Sequence, residues 1–361
     1  MAVNNDVAFK FGCGRYIQEE NAIENNLYKE LKNLGKKVLF VAGNNGYRVA
    51  IDSIKKAIDN TDIEYEIKMF DSVPCFENAE EIAQYIREKE FEIVCGVGGG
   101  VLGDIVKLVA EITDISLVQI PTSSATCVAS TPLSVMYDRE TRVFRGSYIC
   151  KREADAVIVD TLIMINQPQR LFWAGIIDSR AKMVEIQHYF MDGKTVPTGL
   201  EMAWAVSKEV YKFYEQNLSE ISKAITEKKI TKPFELAIFY AIAVTGIISG
   251  LSKNSSQTAL GHAFYYEVRT SFCEEAKDFL HGEIVGVGLI VQLAFNGFDH
   301  EPMIELLKGM KLPVTLSDIG IEPNEKNLKC FVDKLYKSVN IDSDNEAVRE
   351  KLKNAVMLIC K

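Results

Sequence analysis

Histidine is scarce in this chain, four residues in 361, so chemistry that needs an imidazole has few places to occur. Cysteine appears eight times but never as a CxxC pair, which argues against a cysteine-based metal site and leads us to expect reduced thiols in a cytoplasm. No stripe of lysine and arginine stands out, and the formal charge is -9, so a nucleic-acid partner is not expected. Met1–Asp6 has neither a basic stretch nor an apolar one behind it, so no secretory signal is expected. The longest apolar stretch, Leu236 to Leu251, is about one helix long and too short for a confident membrane span. Repeats and low-complexity tracts are missing as well, which removes solenoids and disordered arrays from consideration.

What is present is ordinary globular composition, 47% hydrophobic and 25% charged, in a chain longer than one core usually fills. Two domains are therefore expected, an α/β domain over 1–160 and an all-α domain over 161–361. In the first, Lys37–Ala42, Ile63–Phe70, Phe91–Val97 and Leu117–Pro121 read as strands. Helical stretches alternate with them over Tyr47–Asn60, Asn78–Lys89 and Asp104–Ile112. That alternation implies a parallel sheet covered on both faces, the arrangement that binds nucleotides at the carboxyl ends of its strands. From Asp160 onward the pattern is helical, with segments at 168–190, 199–226, 232–252, 283–298, 302–310, 324–338 and 345–359.

Gly96–Asp104 follows one strand and opens a helix. Its Gly98, Gly99 and Gly100 exceed what a tight turn needs, and glycines at a helix N-terminus let backbone N–H groups approach a pyrophosphate. The run fits neither the usual G-x-G-x-x-G nor a Walker A loop. Asp104 and Lys107 fall on the helix's first turn, where the aspartate reads equally as a cap. A second stretch, Pro121–Tyr137, is rich in hydroxyls. They suit either cofactor contacts or a loop satisfying its own backbone.

Two of the four histidines, His262 and His281, lie in one short span, and Asp178 lies upstream in Ala174–Lys182. One carboxylate and two imidazoles can hold a divalent ion with a position left open, as catalytic zinc sites do. Spacing alone leaves a capping or buried histidine as the commoner explanation.

Taken in order, the glycine run with Asp104, Pro121–Thr122, the Asp178 segment and the His262/His281 pair resemble the metal-dependent dehydrogenase superfamily. That superfamily includes iron-type alcohol dehydrogenases, glycerol dehydrogenases and, more distantly, dehydroquinate synthase. The resemblance runs from about Lys37 to Leu312. It implies that superfamily's fold, a catalytic metal on Asp178, His262 and His281 in a cleft between the domains, and NAD or NADP as hydride carrier. Along the dinucleotide it places Gly98, Gly99, Gly100, Asp104, Thr122, Ser123, Thr131, Leu133 and Tyr137. It also implies a small-molecule substrate and a homo-oligomer.

Departures sharpen the resemblance. Iron-type members carry a histidine four residues after the metal aspartate. Lys182 stands there instead, which favours zinc over iron or manganese. Glycerol dehydrogenases carry a diol-binding aspartate where this chain has Cys127, a poor partner for a diol. The surrounding run is similar to a side branch described as hydroxycarboxylate dehydrogenases, which implies a 2-hydroxy acid/2-oxo acid pair, with glycerol and dihydroxyacetone as the alternative. The first strand ends Val41–Ala42–Gly43–Asn44–Asn45, lacking both the aspartate that favours NAD and an arginine to receive a 2′-phosphate. The dinucleotide is thus left open.

Lys253 and Arg269 are candidate cations for an acid substrate. Glu185, seven residues after Asp178, shares its helix face, while His188 and His300 are not expected to be ligands. Cyclising lyase chemistry of the dehydroquinate synthase kind would call for a lysine within Thr126–Val135, and none is there. A non-catalytic binding module is the third alternative.

Overall fold

The computed structural model describes residues 12–190, 196, 198–253, 259–337 and 345–360, with the side chain of His188 outside that description. The chain forms two compact units, Met1–Phe172 with Gln216–Gly250, and Trp173–Glu215 with Leu251–Lys361. A single boundary at 160 assigned 216–250 to the second domain; the structure returns that segment to the first unit.

The first unit is built on a six-stranded parallel sheet. Its strands are β1 (Arg15–Glu19), β2 (Lys37–Ala42), β3 (Glu64–Met69), β4 (Ile93–Gly98), β5 (Ser116–Pro121) and β8 (Ala156–Asp160), in the spatial order β1-β8-β5-β4-β2-β3. Helices α1 (Ala22–Leu34), α2 (Asn44–Ile58), α3 (Phe76–Lys89) and α4 (Gly100–Thr113) connect the strands. Covered on both faces, the central strands are apolar almost throughout: every residue of β4 and β8 is buried. Val38, Phe40, Val97, Val118 and Ile158 lie in one core cluster. The order reverses between β2 and β4, because β3 lies on one side of β2 and β4 on the other. Ligands bind outside the carboxyl ends of strands at such a switch point.

The four expected strands are present. Two further ones, β1 and β8, pair with each other at the sheet edge. Edge strand β1 is polar at both ends and has no long apolar run, so its sequence carries little strand signal. The hydroxyl-rich stretch ends not in a loop but in β6 (Leu133–Tyr137), which forms an antiparallel hairpin with β7 (Phe144–Ile149). A short α5 (Thr161–Asn166) follows β8.

Beyond Asp160 no described residue lies in a strand. α6 (Gln169–Ile186) and α7 (Leu200–Glu227) come next, and the division between units falls inside each. α8 (Lys232–Phe239) continues through a π-helical turn, Tyr240–Val244, into α9 (Thr245–Leu251). These 20 residues are long and apolar enough to cross a membrane by length and composition, but 61% of the stretch is buried inside the protein.

The second unit contains α10 (Leu260–Ser271), α11 (His281–Asn296), α12 (Glu301–Gly309), α13 (Glu325–Leu335) and α14 (Glu346–Met357). α11 is its central helix, apolar all round and buried from Gly282 to Gln292. A Cβ on Gly288 would lie 2.6 Å from the Gly261 carbonyl oxygen, so α10 and α11 meet backbone to backbone. Phe331 of α13 stacks on Phe264 and Phe272 at 4.9 and 5.0 Å, packing α13 against α10.

Candidate metal centre and nucleotide cradle

Asp178, Lys182 and Glu185 are spaced i, i+4, i+7 on α6, which puts them on one face of the helix. All three are buried, and two neighbouring helices bring their histidines to this face. His262 is the third residue of α10, and His281 is the first of α11. His262 Nε2 lies 3.5 Å from Asp178 Oδ1, His281 Nε2 lies 3.4 Å from it, and the Lys182 Nζ lies 3.6 Å from it. Asp178, His262 and His281 each offer one ligand atom, all within 4.8 Å of one another.

The glycines beside the histidines make this convergence possible. Gly261 precedes His262, and a Cβ there would stand 2.9 Å from both Glu185 Oε1 and Leu289 Cδ2. Gly282 follows His281 and packs on the Ala174 backbone, one turn before Asp178. Glu283 then fixes the start of α11, its carboxylate accepting from the Leu280 N–H at 2.8 Å.

The donor set suits a divalent ion. Glu185 stands 2.7 Å from His262 Nδ1 through each carboxylate oxygen and also accepts from the His262 backbone N–H at 2.8 Å. With Nδ1–H donated to that carboxylate, the Nε2 lone pair is directed at Asp178. Asp178 Oδ1 and His262 Nε2 are buried with no hydrogen-bond partner. Two facing acceptor atoms without a hydrogen bond inside a protein are costly, and the Lys182 ammonium reaches only the Asp178 oxygen, so a cation between the two would satisfy both. Charge couples the members of the cluster. Burial works to raise the Asp178 carboxyl, yet Lys182 and the two imidazoles hold it well below the usual carboxylate range. Burial works to lower His262, but Glu185 and Asp178 leave it raised, while desolvation leaves His281 lowered despite Asp178.

The cradle in the first unit is formed where β4 meets β5. Gly98 ends β4 with φ +154°, Gly99 caps α4, and the Thr122 N–H donates to the Gly98 carbonyl at 3.0 Å. A Cβ on Gly46 would lie 2.5 Å from the Val97 carbonyl oxygen, so the start of α2 closes on the same turn. The first turn of α4 contains no acidic residue to repel an anion.

Gly100, Gly103 and Lys107 face the hydroxyl loop together. A Cβ on Gly100 would lie 3.3 Å from Thr126 Oγ1, and one on Gly103 would lie 2.6 Å from Val128 Cγ1. Lys107 donates to the carbonyls of Val128, Thr131 and Leu133. Gln167 ties the other end of the loop, accepting from the Ser124 N–H and donating to its hydroxyl, each at 3.0 Å. Neither tie was read from the sequence, although the i, i+3, i+7 spacing of Gly100, Gly103 and Lys107 was there to see.

Of the cofactor candidates, Ser123 Oγ lies 3.5 Å from the position of a Cβ on Gly99. Thr131 and Leu133 are buried beneath Lys107, and Tyr137 ends β6 against Phe144. Asp104 does not cap α4, because the helix begins four residues earlier. It is buried, 3.1 Å from the Lys107 ammonium, and burial pushes its carboxyl up to about 6 against that ammonium's pull. Cys127 is also buried, at the start of the 3-10 turn Val128–Ser130.

The candidate cations fare differently. Lys253 is exposed just past α9, in a left-handed backbone conformation with φ 48°. Arg269 donates to the carbonyls of Ala276 and Phe279, so its guanidinium holds the loop that leads into His281. Lys182, noted from the sequence only as a missing ligand, is the cation at the cluster. His300 precedes α12, its ring 3.9 Å from Glu301, and the side chain of His188 lies outside the described residues.

Residues 13–161 match the family described as iron-containing alcohol dehydrogenase. The chain is 31% identical over 243 residues to hydroxycarboxylate dehydrogenase A of Escherichia coli. That match covers 65% of this chain and 64% of the relative, just under two thirds of its length. It is 26% identical to glycerol dehydrogenase of Thermotoga maritima over 86% of this chain and 84% of that one. Among solved structures, a probable glycerol dehydrogenase from Sinorhizobium meliloti superposes with a TM-score of 0.80 at 23% identity over 98% of each chain. An iron-containing alcohol dehydrogenase from Thermotoga maritima gives 0.70 at 22% over 98% of this chain and 99% of that one.

Proposed function

We propose that the chain, whose residues 13–161 match the family described as iron-containing alcohol dehydrogenase, is a metal-dependent, NAD(P)-linked oxidoreductase. It interconverts a CH–OH group and a carbonyl in a small polar substrate of the 2-hydroxy acid/2-oxo acid class. The observation that carries the reading is the convergence of Asp178 Oδ1, His262 Nε2 and His281 Nε2, the first two buried and without a hydrogen bond, all within ligand reach of one another. Asp178, His262 and His281 hold the ion, zinc by preference over iron or manganese, since three ligands with an open position suit it. Such an ion supplies a Lewis acid for the substrate oxygen, and the dinucleotide supplies or takes the hydride.

The protein's share is placement. Glu185 keeps His262 in the tautomer that ligates, and Arg269 and Glu283 fix the approach to His281. Gly98, Gly99 and Gly100 let backbone N–H groups come close to a pyrophosphate, and Thr122 closes that turn. Lys107 and Gln167 hold the hydroxyl loop against it. Replacing Lys107 with methionine should raise the KM for dinucleotide by roughly 10-fold, since three carbonyls lose their donor. Metal affinity should stay unchanged, which separates loop placement from a general loss of structure.

The rim at the end of β2 has no carboxylate. It presents Asn44 and Asn45, and Arg48, four residues into α2, donates to Asn45 Oδ1 at 3.3 Å. The sequence reading found no arginine at the strand end itself; the helix supplies one, and NADP is accepted beside NAD on this account. Scattered cysteines support a cytoplasmic location, and the homo-oligomer rests on the family alone.

Glycerol oxidation is the second reading, favoured by the names of several relatives and opposed by Cys127. The deciding assay is a panel of glycerol, simple alcohols and 2-oxo acids, run with both dinucleotides after loading with zinc, manganese or iron. Nicotinamide absorbance should fall fastest with a 2-oxo acid. A preference for glycerol replaces the substrate class, and silence across the panel overturns the reading.

A further inference from the structure

We infer that Lys182 is a built-in counter-charge that keeps metal binding at this centre weak and exchangeable. The inference rests on the reading of Asp178, His262 and His281 as metal ligands, and it concerns what this chain does to the ion's affinity.

Asp178 Oδ1 is the vertex that both histidines share, and the Lys182 ammonium lies 3.6 Å from that same oxygen with none of its side chain exposed. A metal–oxygen bond is about 2 Å long, so this ammonium lies within about 6 Å of any ion bonded there, whatever the ion's direction. At that separation, away from bulk water and its screening, two like charges repel substantially. The ammonium also competes directly, because it draws on the same carboxylate oxygen that the ion must use.

Helix geometry makes the arrangement hard to escape. Lys182 follows Asp178 by one turn of α6, and both are buried, so the charge cannot swing into solvent. Glu185, one turn further on, is committed to His262 and offers the ion no direct ligand. The local formal charge before metal binding is therefore two carboxylates against one ammonium. A neutral residue at 182 would leave the full pull of both carboxylates on the ion.

The test is a zinc titration of metal-free full-length protein against a chromophoric chelator, for wild type, K182M, K182Q and D178N. Methionine has nearly the lysine stem's shape, and glutamine keeps a polar end, so folding of either one suffices. Both should bind zinc roughly 10- to 100-fold more tightly than wild type and lose it more slowly to excess chelator. Unchanged or weaker binding in the folded variants overturns the inference. D178N reports on the underlying reading separately: it should bind zinc far more weakly than wild type. If it binds equally well, the ion is not held by this triad, and the site assignment fails whatever K182M does.

Discussion

Replacing His281 with alanine should abolish turnover while leaving the fold in place. The two other ligands are almost wholly buried, so changing either disturbs packing as well as chemistry. His281 is different, with 21% of its side chain exposed at the first position of α11. Alanine is a strong helix former, and the helix start is secured independently by Glu283 on the Leu280 N–H. What is lost is one imidazole from the ion and ring contacts with Tyr265 at 4.3 Å and His262 at 5.2 Å. Lewis-acid assistance is worth several kcal/mol, which corresponds to a fall of about 10³-fold or more in kcat. Melting temperature and near-ultraviolet dichroism should stay close to wild type while bound metal drops. Full activity in a metal-stripped H281A protein would sink the metal mechanism.

The contrast between what was legible and what was not lies in particular residues. Strand runs such as Lys37–Ala42 announce themselves because a strand buried on both faces must be apolar throughout. Polar edge strand β1 gives no such signal, and the return of 216–250 to the first unit depends on packing between residues far apart in sequence. At the centre, the identities of Asp178, His262 and His281 were readable, and so was the shared face of Asp178 and Glu185. The cause of their meeting was not. It resides in Gly261, Gly282 and Gly288, where one helix backbone touches another, and a glycine in a helical run looks like a weak spot until its neighbour is known. Lys182 shows the same limit. Its absence of imidazole was visible from the sequence, but the position of its charge beside Asp178 Oδ1 was not.

Gly282→Ala should therefore be among the most damaging single-methyl additions in the second unit. Its Cβ would overlap the Ala174 carbonyl oxygen and lie 2.6 Å from the carbonyl carbon and 2.9 Å from the Cα. All three atoms are backbone, so no side-chain rotation relieves the clash, and the start of α11 must withdraw from α6. Overpacking of this kind costs ~3 kcal/mol, about 6–12 °C in melting temperature for a unit of this size. Because the withdrawal happens beside His281 and one turn before Asp178, zinc affinity should fall along with stability, unlike in H281A, where stability holds. Gly309→Ala is the matched control, since a Cβ there meets nothing within 4 Å and lies on exposed helix. It should be neutral or stabilise by up to ~1 kcal/mol. Equal melting temperatures for G282A and G309A would mean that α6 and α11 are not in backbone contact, and the account of how the histidines reach Asp178 would have to be abandoned.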